Sequence, residues 1–147
     1  MKKMTRILAL ALCVVLACAA LVGCSSGPKD GTYTARFETA SHGYIEYLTV
    51  TFKDGAPVEA EYDAYAEGDP SAKKSACTPE EYPMDPPASE WIPQLSENVL
   101  AAGTNPDKIA GVAGATYAST NVRVLYNAIL EAAAKGNTAE ILVPVEG

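Results

Sequence analysis

The chain has 147 residues, of which 48% are hydrophobic, 7% aromatic and 20% charged, with a formal net charge of −7. That length bounds it to one modest domain with a core of its own. An acidic surface repels phosphate backbones and anionic headgroups, which excludes nucleic acid as a partner and a basic patch as a membrane anchor.

Lys2, Lys3 and Arg6 precede an unbroken apolar run from Ile7 to Val22. A positive start before an apolar run too short for the roughly 20 residues of a spanning helix is the layout of a secretory signal. Leu21-Val22-Gly23-Cys24 closes the run, and Ser25-Ser26-Gly27-Pro28 follows as a polar tether. Small residues before the cut suit a peptidase cleft, and a cysteine thiol at a new N-terminus can take a diacylglyceryl group. These four residues closely resemble the lipobox of bacterial lipoproteins. The resemblance implies a signal peptide over 1–23, a lipidated N-terminus and tether over 24–30, and a domain over 31–147. Lipid on Cys24 would then hold the protein on the extracytoplasmic side of the cell membrane.

Without the signal the chain keeps all 18 acids but only 8 of its 11 bases, a net charge of −10. Cys13 and Cys18 leave with the signal and Cys24 is consumed by lipid. Cys77 alone remains, so the domain is expected to hold without an internal disulfide.

Period two begins at Gly31: Tyr33, Ala35 and Phe37 alternate with Thr32, Thr34 and Arg36. Ile45 to Lys53 reads as a second strand with Leu48, Val50 and Phe52 on one face, and Asp54-Gly55 suits a tight hairpin. In the third strand Val58, Ala60, Tyr62 and Ala64 are expected on the dry face, with Glu59, Glu61 and Asp63 on the wet one. A sheet with one dry face is antiparallel and needs helices to cover it.

Glu67 to Pro87 contains Gly68, five prolines and mixed charge, which predicts a long loop with little regular structure. Ser89 is the expected cap of a helix that tolerates Pro93 early and buries Ile92, Leu95, Val99 and Ala102. Gly103 with Asn105-Pro106 should end it. A second helix carries Val122, Leu125, Tyr126, Ile129, Leu130 and Ala133 as one stripe, with Gly136 as its terminal cap. Ile141 to Val145 predicts a last strand. The expected fold is α+β: a small antiparallel sheet covered by two main helices, in a single domain.

Between the helices, Asn105 to Ser119 is rich in small residues: Gly111, Ala113, Gly114 and Ala115 precede the hydroxyl of Thr116 at a helix start. Free N–H groups and the positive end of a helix dipole suit a phosphate there. By residue type alone, an anion site and a tight connection between packed helices both remain open. One His and one Cys cannot supply a metal site. No Ser-His-Asp or paired-carboxylate pattern appears, so these residues give no expectation of an enzyme.

Gly114-Ala115-Thr116, followed by an amphipathic helix, resembles the attachment motif of FMN-binding domains. Asp30-Gly31-Thr32-Tyr33, Ser41-His42-Gly43-Tyr44, Asp54-Gly55 and Asn105-Pro106-Asp107-Lys108 resemble small membrane-tethered lipoproteins of that family in order and spacing. The resemblance spans Asp30 to Gly136. It implies an extracytoplasmic electron carrier whose FMN contacts Gly114, Ala115, Thr116, Tyr117 and His42. Implied partners are a flavin transferase, which would join FMN to Thr116 through a phosphodiester, and redox proteins. The attachment pattern has Asp six residues before the Thr and commonly Ser or Thr three before it; here Ala110 and Ala113 stand at those positions. Covalent flavin, noncovalent flavin and a flavin-free binding module that keeps the fold therefore all stay open. Tyr44 and Tyr117 could stack on a flavin or lie against the sheet, Trp91 is expected in the core, and Cys77 has no visible partner.

Overall fold

A computed structural model describes residues 27–145. The signal peptide over 1–23 and the lipidation position Cys24 lie outside the described residues.

The chain runs β1 (Gly31–Phe37), β2 (Tyr44–Lys53), β3 (Ala56–Ala66), β4 (Asp69–Lys73), α1 (Ala88–Ala101), α2 (Thr116–Lys135) and β5 (Ile141–Val143). The sheet order is β4-β3-β2-β1-β5. Its first four strands pair antiparallel, and β5 joins β1 in parallel, so the sheet is mixed rather than purely antiparallel. The reason lies in α2, which runs back to the start of β1: the Lys29 N–H donates to Ala133 O at 2.9 Å. Gly136 then ends the helix in the left-handed region at φ +67, and the chain re-enters the sheet from the end where β1 began.

Helical and strand periodicities meet in one core. Tyr33, Leu48, Val50 and Phe52 from the sheet face Leu95 and Val99 of α1 and Val122, Leu125, Tyr126 and Ile129 of α2. Phe52 and Tyr126 stack with ring centroids 6.3 Å apart. Each such large side chain contributes about 1.5–3 kcal/mol when fully buried. No helix among the described residues is long and apolar enough to cross a membrane.

Four local expectations need correction. Val58 is 49% exposed, because the β2–β3 register passes from Thr51↔Glu59 to Phe52↔Pro57 and leaves Val58 as an unpaired bulge. Asp63 is buried instead of wet, since it accepts hydrogen bonds from Ala64 N, Ser75 N and Ser75 Oγ. The helix cap is Pro87, not Ser89, and it gives no side-chain hydrogen bond. The stretch expected as an irregular loop holds β4 and a 3-10 turn over Lys74–Ala76. That turn matters, because it carries a buried lysine into the site.

Candidate functional site

The segment between α1 and α2 is held open by side chains that satisfy its backbone. Arg123 donates from Nε and Nη2 to Ile109 O at 3.2 and 2.7 Å, and Asn98 Nδ2 donates to Ala110 O at 2.8 Å. Ser119 Oγ accepts from Val112 N at 3.0 Å and donates to Ala115 O at 2.7 Å. Ile109, Val112 and Ala115 enter the core as apolar pegs. Between the last two pegs, Gly114 turns at φ +84, a conformation that costs glycine nothing. It also needs to lack a Cβ, which would lie 2.8 Å from Asp85 O and 2.9 Å from Pro86 Cδ.

This turn delivers Thr116 as the first residue of α2. The helix cap, Ala115, has no side-chain acceptor, so the first-turn N–H groups have no side-chain cap. Thr116 and Tyr117 are exposed at the mouth of a cavity of about 150 Å³ that Gly114, Ala115 and His42 also line. All five cofactor-binding residues expected from the sequence thus meet at one cavity. His42 reaches it from the loop between β1 and β2, at φ +52, with Nδ1 3.0 Å from Ser41 Oγ. Tyr117 is 59% exposed at the rim, so it does not lie against the sheet as one expectation had it. A second cavity of about 330 Å³ adjoins the first and shares Ser41, Glu46 and Tyr117 with it. Phe37, Val124 and Val143 make that second cavity largely apolar, and its volume lies at the lower end of the about 300–1,000 Å³ typical of small-molecule sites.

Lys74, Glu46 and Trp91 are among the residues that line the first cavity without having been singled out for it by sequence. Lys74 is 5% exposed and lies over two aromatic faces, with Nζ 4.6 Å from the Tyr44 ring centroid and 4.7 Å from that of Tyr82. Glu46 is buried between the two cavities, where it accepts from Tyr62 Oη at 2.7 Å and from Asn121 Nδ2. Burial, together with that carboxylate, pushes the Tyr62 hydroxyl well above its usual range. Trp91 sits in the core as expected and also lines the cavity, and its buried Nε1 has no hydrogen-bond partner.

Glu46 left a trace in the sequence, because it continues the Leu48–Val50–Phe52 face at period two, where an acid is out of place. Lys74 left none.

Tyr44 packs edge-on against Tyr82 with centroids 5.6 Å apart. The hydrogen bond with Cys77 Sγ at 3.4 Å and burial push its hydroxyl up to about 12. Cys77 lines neither cavity. Ala110 is exposed, and Asp107, the nearest preceding acid, is exposed on its own 3-10 turn and also lines neither cavity. Among the described residues no three His, Cys, Asp or Glu side chains gather as metal ligands.

These residues fit the polar groups of a flavin nucleotide. An uncapped helix start and a hydroxyl suit its phosphate, aromatic side chains suit its ring, and a buried ammonium suits the ring's acceptors.

No protein-family model matches the chain, and no curated protein sequence matches it. Among solved structures it is similar to the CPE2226 protein of Clostridium perfringens. That similarity has 28% sequence identity and a TM-score of 0.71, and covers 81% of this chain and 99% of that one. The α+β fold is shared over almost the whole of that protein.

Proposed function

We propose that the protein is a membrane-anchored, extracytoplasmic FMN-binding lipoprotein that carries electrons and is not a catalyst in its own right. The observation that carries the reading is the convergence of Gly114, Ala115, Thr116, Tyr117 and His42 on one cavity, at the uncapped start of α2. The resemblance of the Gly114-Ala115-Thr116 segment to flavin-attachment motifs supports it. Thr116 and the α2 amides would hold the phosphate, and Tyr117 would flank the ring. When bound, FMN supplies transfer of one or two electrons. Lipid on Cys24 would keep an acidic domain at a surface for which it has no charge attraction of its own. A flavin transferase and membrane or extracellular redox proteins are the implied partners.

A second reading, a flavin-free binding module on the same fold, is favoured by one observation. Ala110, where the attachment pattern has an acid, is exposed and uncharged, and Asp107 lines neither cavity.

The two readings separate when the protein is made in a secreting host that contains a flavin transferase. Covalent attachment leaves yellow fluorescence on the denatured wild type and none on Thr116→Val. If the missing acid blocks the transferase, wild type is colourless after denaturation and Ala110→Asp gains flavin, which an exposed position accepts without packing cost. FMN titration of the unmodified protein covers noncovalent binding. Should all three give no bound flavin, the electron-carrier reading fails and the binding module replaces it.

A further inference from the structure

Two costly features of the first cavity have no explanation in the fold. Lys74 is 5% exposed, and neither of the two salt bridges among the described residues involves it. Among the described residues, two tyrosine faces and a long hydrogen bond of 3.4 Å from Nζ to Tyr82 Oη compensate it. A buried ammonium without a carboxylate is a net cost that cation–π contact offsets only in part. Trp91 is 2% exposed, and its indole N–H, which can only donate, finds no acceptor. Both residues line the same cavity, and the one carboxylate lining it, Glu46, already has an oxygen engaged by each of Tyr62 and Asn121. The cavity is therefore lined by a buried ammonium whose one side-chain acceptor is the Tyr82 hydroxyl, and by the rings of Tyr82, Trp91 and Tyr117.

We infer that Lys74 and Trp91 form a subsite for the acceptor-bearing edge of a planar heteroaromatic ring, while the start of α2 takes the phosphate at the other end of the ligand. The inference rests on the flavin reading and adds to it which end of the nucleotide lies where. In a flavin that edge is the pyrimidine side, with its two carbonyl oxygens and ring nitrogens. A phosphate is the alternative occupant for Lys74. It fits less well, because a dianion keeps more of its hydration at the exposed Thr116 rim than between two buried tyrosine rings. Lys74 is thus a positioning and specificity residue for the ring.

The test uses protein from a host without flavin transferase, titrated separately with FMN and with riboflavin, which has the same ring and no phosphate. Lys74→Met is expected to weaken both ligands by the same factor, about tenfold or more, because the lost bond is a charge-assisted one to the ring. Trp91→Phe is expected to weaken both by a smaller common factor. The ligand-free Lys74→Met variant is expected to melt at or above the wild-type midpoint, since an unpaired buried charge is gone. Loss of FMN affinity with riboflavin unchanged would place Lys74 at the phosphate and overturn the assignment. A lower melting midpoint with both affinities unchanged would make Lys74 a structural residue and overturn it as well. Wild type that binds neither ligand would overturn the subsite, and it would overturn the flavin reading as well where protein from a transferase-containing host also carries no flavin, an outcome distinct from the other two.

Discussion

Gly111 and Gly114 stand three residues apart in the same small-residue segment, and the structure predicts opposite responses to alanine. At Gly114 the backbone sits at φ +84, and a Cβ would lie 2.8 Å from the carbonyl oxygen of Asp85 and 2.9 Å from Pro86 Cδ. Neither neighbour is the free end of a flexible side chain, so the backbone must give way. A left-handed residue with a Cβ costs about 1–2 kcal/mol, and overpacking adds about 1–3 kcal/mol. Gly114→Ala should therefore lose about 2–5 kcal/mol, a large share of the roughly 5–15 kcal/mol that holds a typical domain. At Gly111 the nearest atoms to a built Cβ are Ser119 Oγ at 3.5 Å and Ser119 Cβ at 3.6 Å, ordinary contact distances. Gly111→Ala should be neutral, or stabilising by up to about 1 kcal/mol through the unfolded chain. Chemical denaturation of the two variants beside wild type gives both numbers. Gly114→Ala within about half a kcal/mol of wild type, or Gly111→Ala as damaging as Gly114→Ala, would refute the reasoning, at a threshold set by ordinary surface substitutions.

Leu125→Ala, at a fully buried position on α2, should cost about 2–5 kcal/mol in denaturation, and a loss near zero would mean the α2 stripe does not pack as described. Burial raises the Tyr126 hydroxyl from its ordinary 10.0 to about 12, so the folded state prefers the neutral phenol. That contribution is complete below the unfolded pKa and is lost as pH rises from about 10 toward 12; Tyr126→Phe should make the fall of stability in that window shallower, and an unchanged slope counts against it. Cys24→Ala should release the protein from membranes in fractionation at low and high salt alike, and a variant that still pellets with the membrane would remove the lipid-anchor proposal.

The parts of the fold legible in the sequence are those where one spacing rule decides which face is dry. Tyr33, Ala35 and Phe37 alternate and are all buried, and Val122, Leu125, Tyr126 and Ile129 repeat at helical spacing and are all buried. The hairpin at Asp54-Gly55 was legible because both residues adopt positive φ, which that pair favours. Other features depend on what a segment meets in space. Val58 fits the alternation and still faces water, because a bulge is a matter of register between two strands. The parallel direction of β5 follows from where α2 ends. β4 was hidden for a different reason: four of its five residues are exposed, so it is a short edge strand with no dry face to announce it.

The candidate site divides along the same line. Gly114-Ala115-Thr116 is readable because a glycine with no room for a Cβ and a helix with no side-chain cap leave marks in residue type. Lys74 is unreadable because a lysine in a charged, proline-rich stretch carries no sign of burial until β4 folds it against Tyr44 and Tyr82. The two ends of α2 connect the readable and unreadable halves. At its C-terminal end Gly136 donates to Ala132 O and Ala133 O, so the carbonyls there are served by the protein itself. At its N-terminal end Ala115 offers the first-turn amides no side-chain acceptor. Its middle is fixed by Val122, Leu125, Tyr126 and Ile129 in the core, so that start cannot shift to find another partner. Trp91 and the buried Lys74 line the cavity at that same end. An exposed helix start without a side-chain cap and a buried ammonium with one tyrosine hydroxyl as acceptor thus border one cavity. A ligand with a phosphate at one end and ring acceptors at the other would meet both, as the proposed subsite requires.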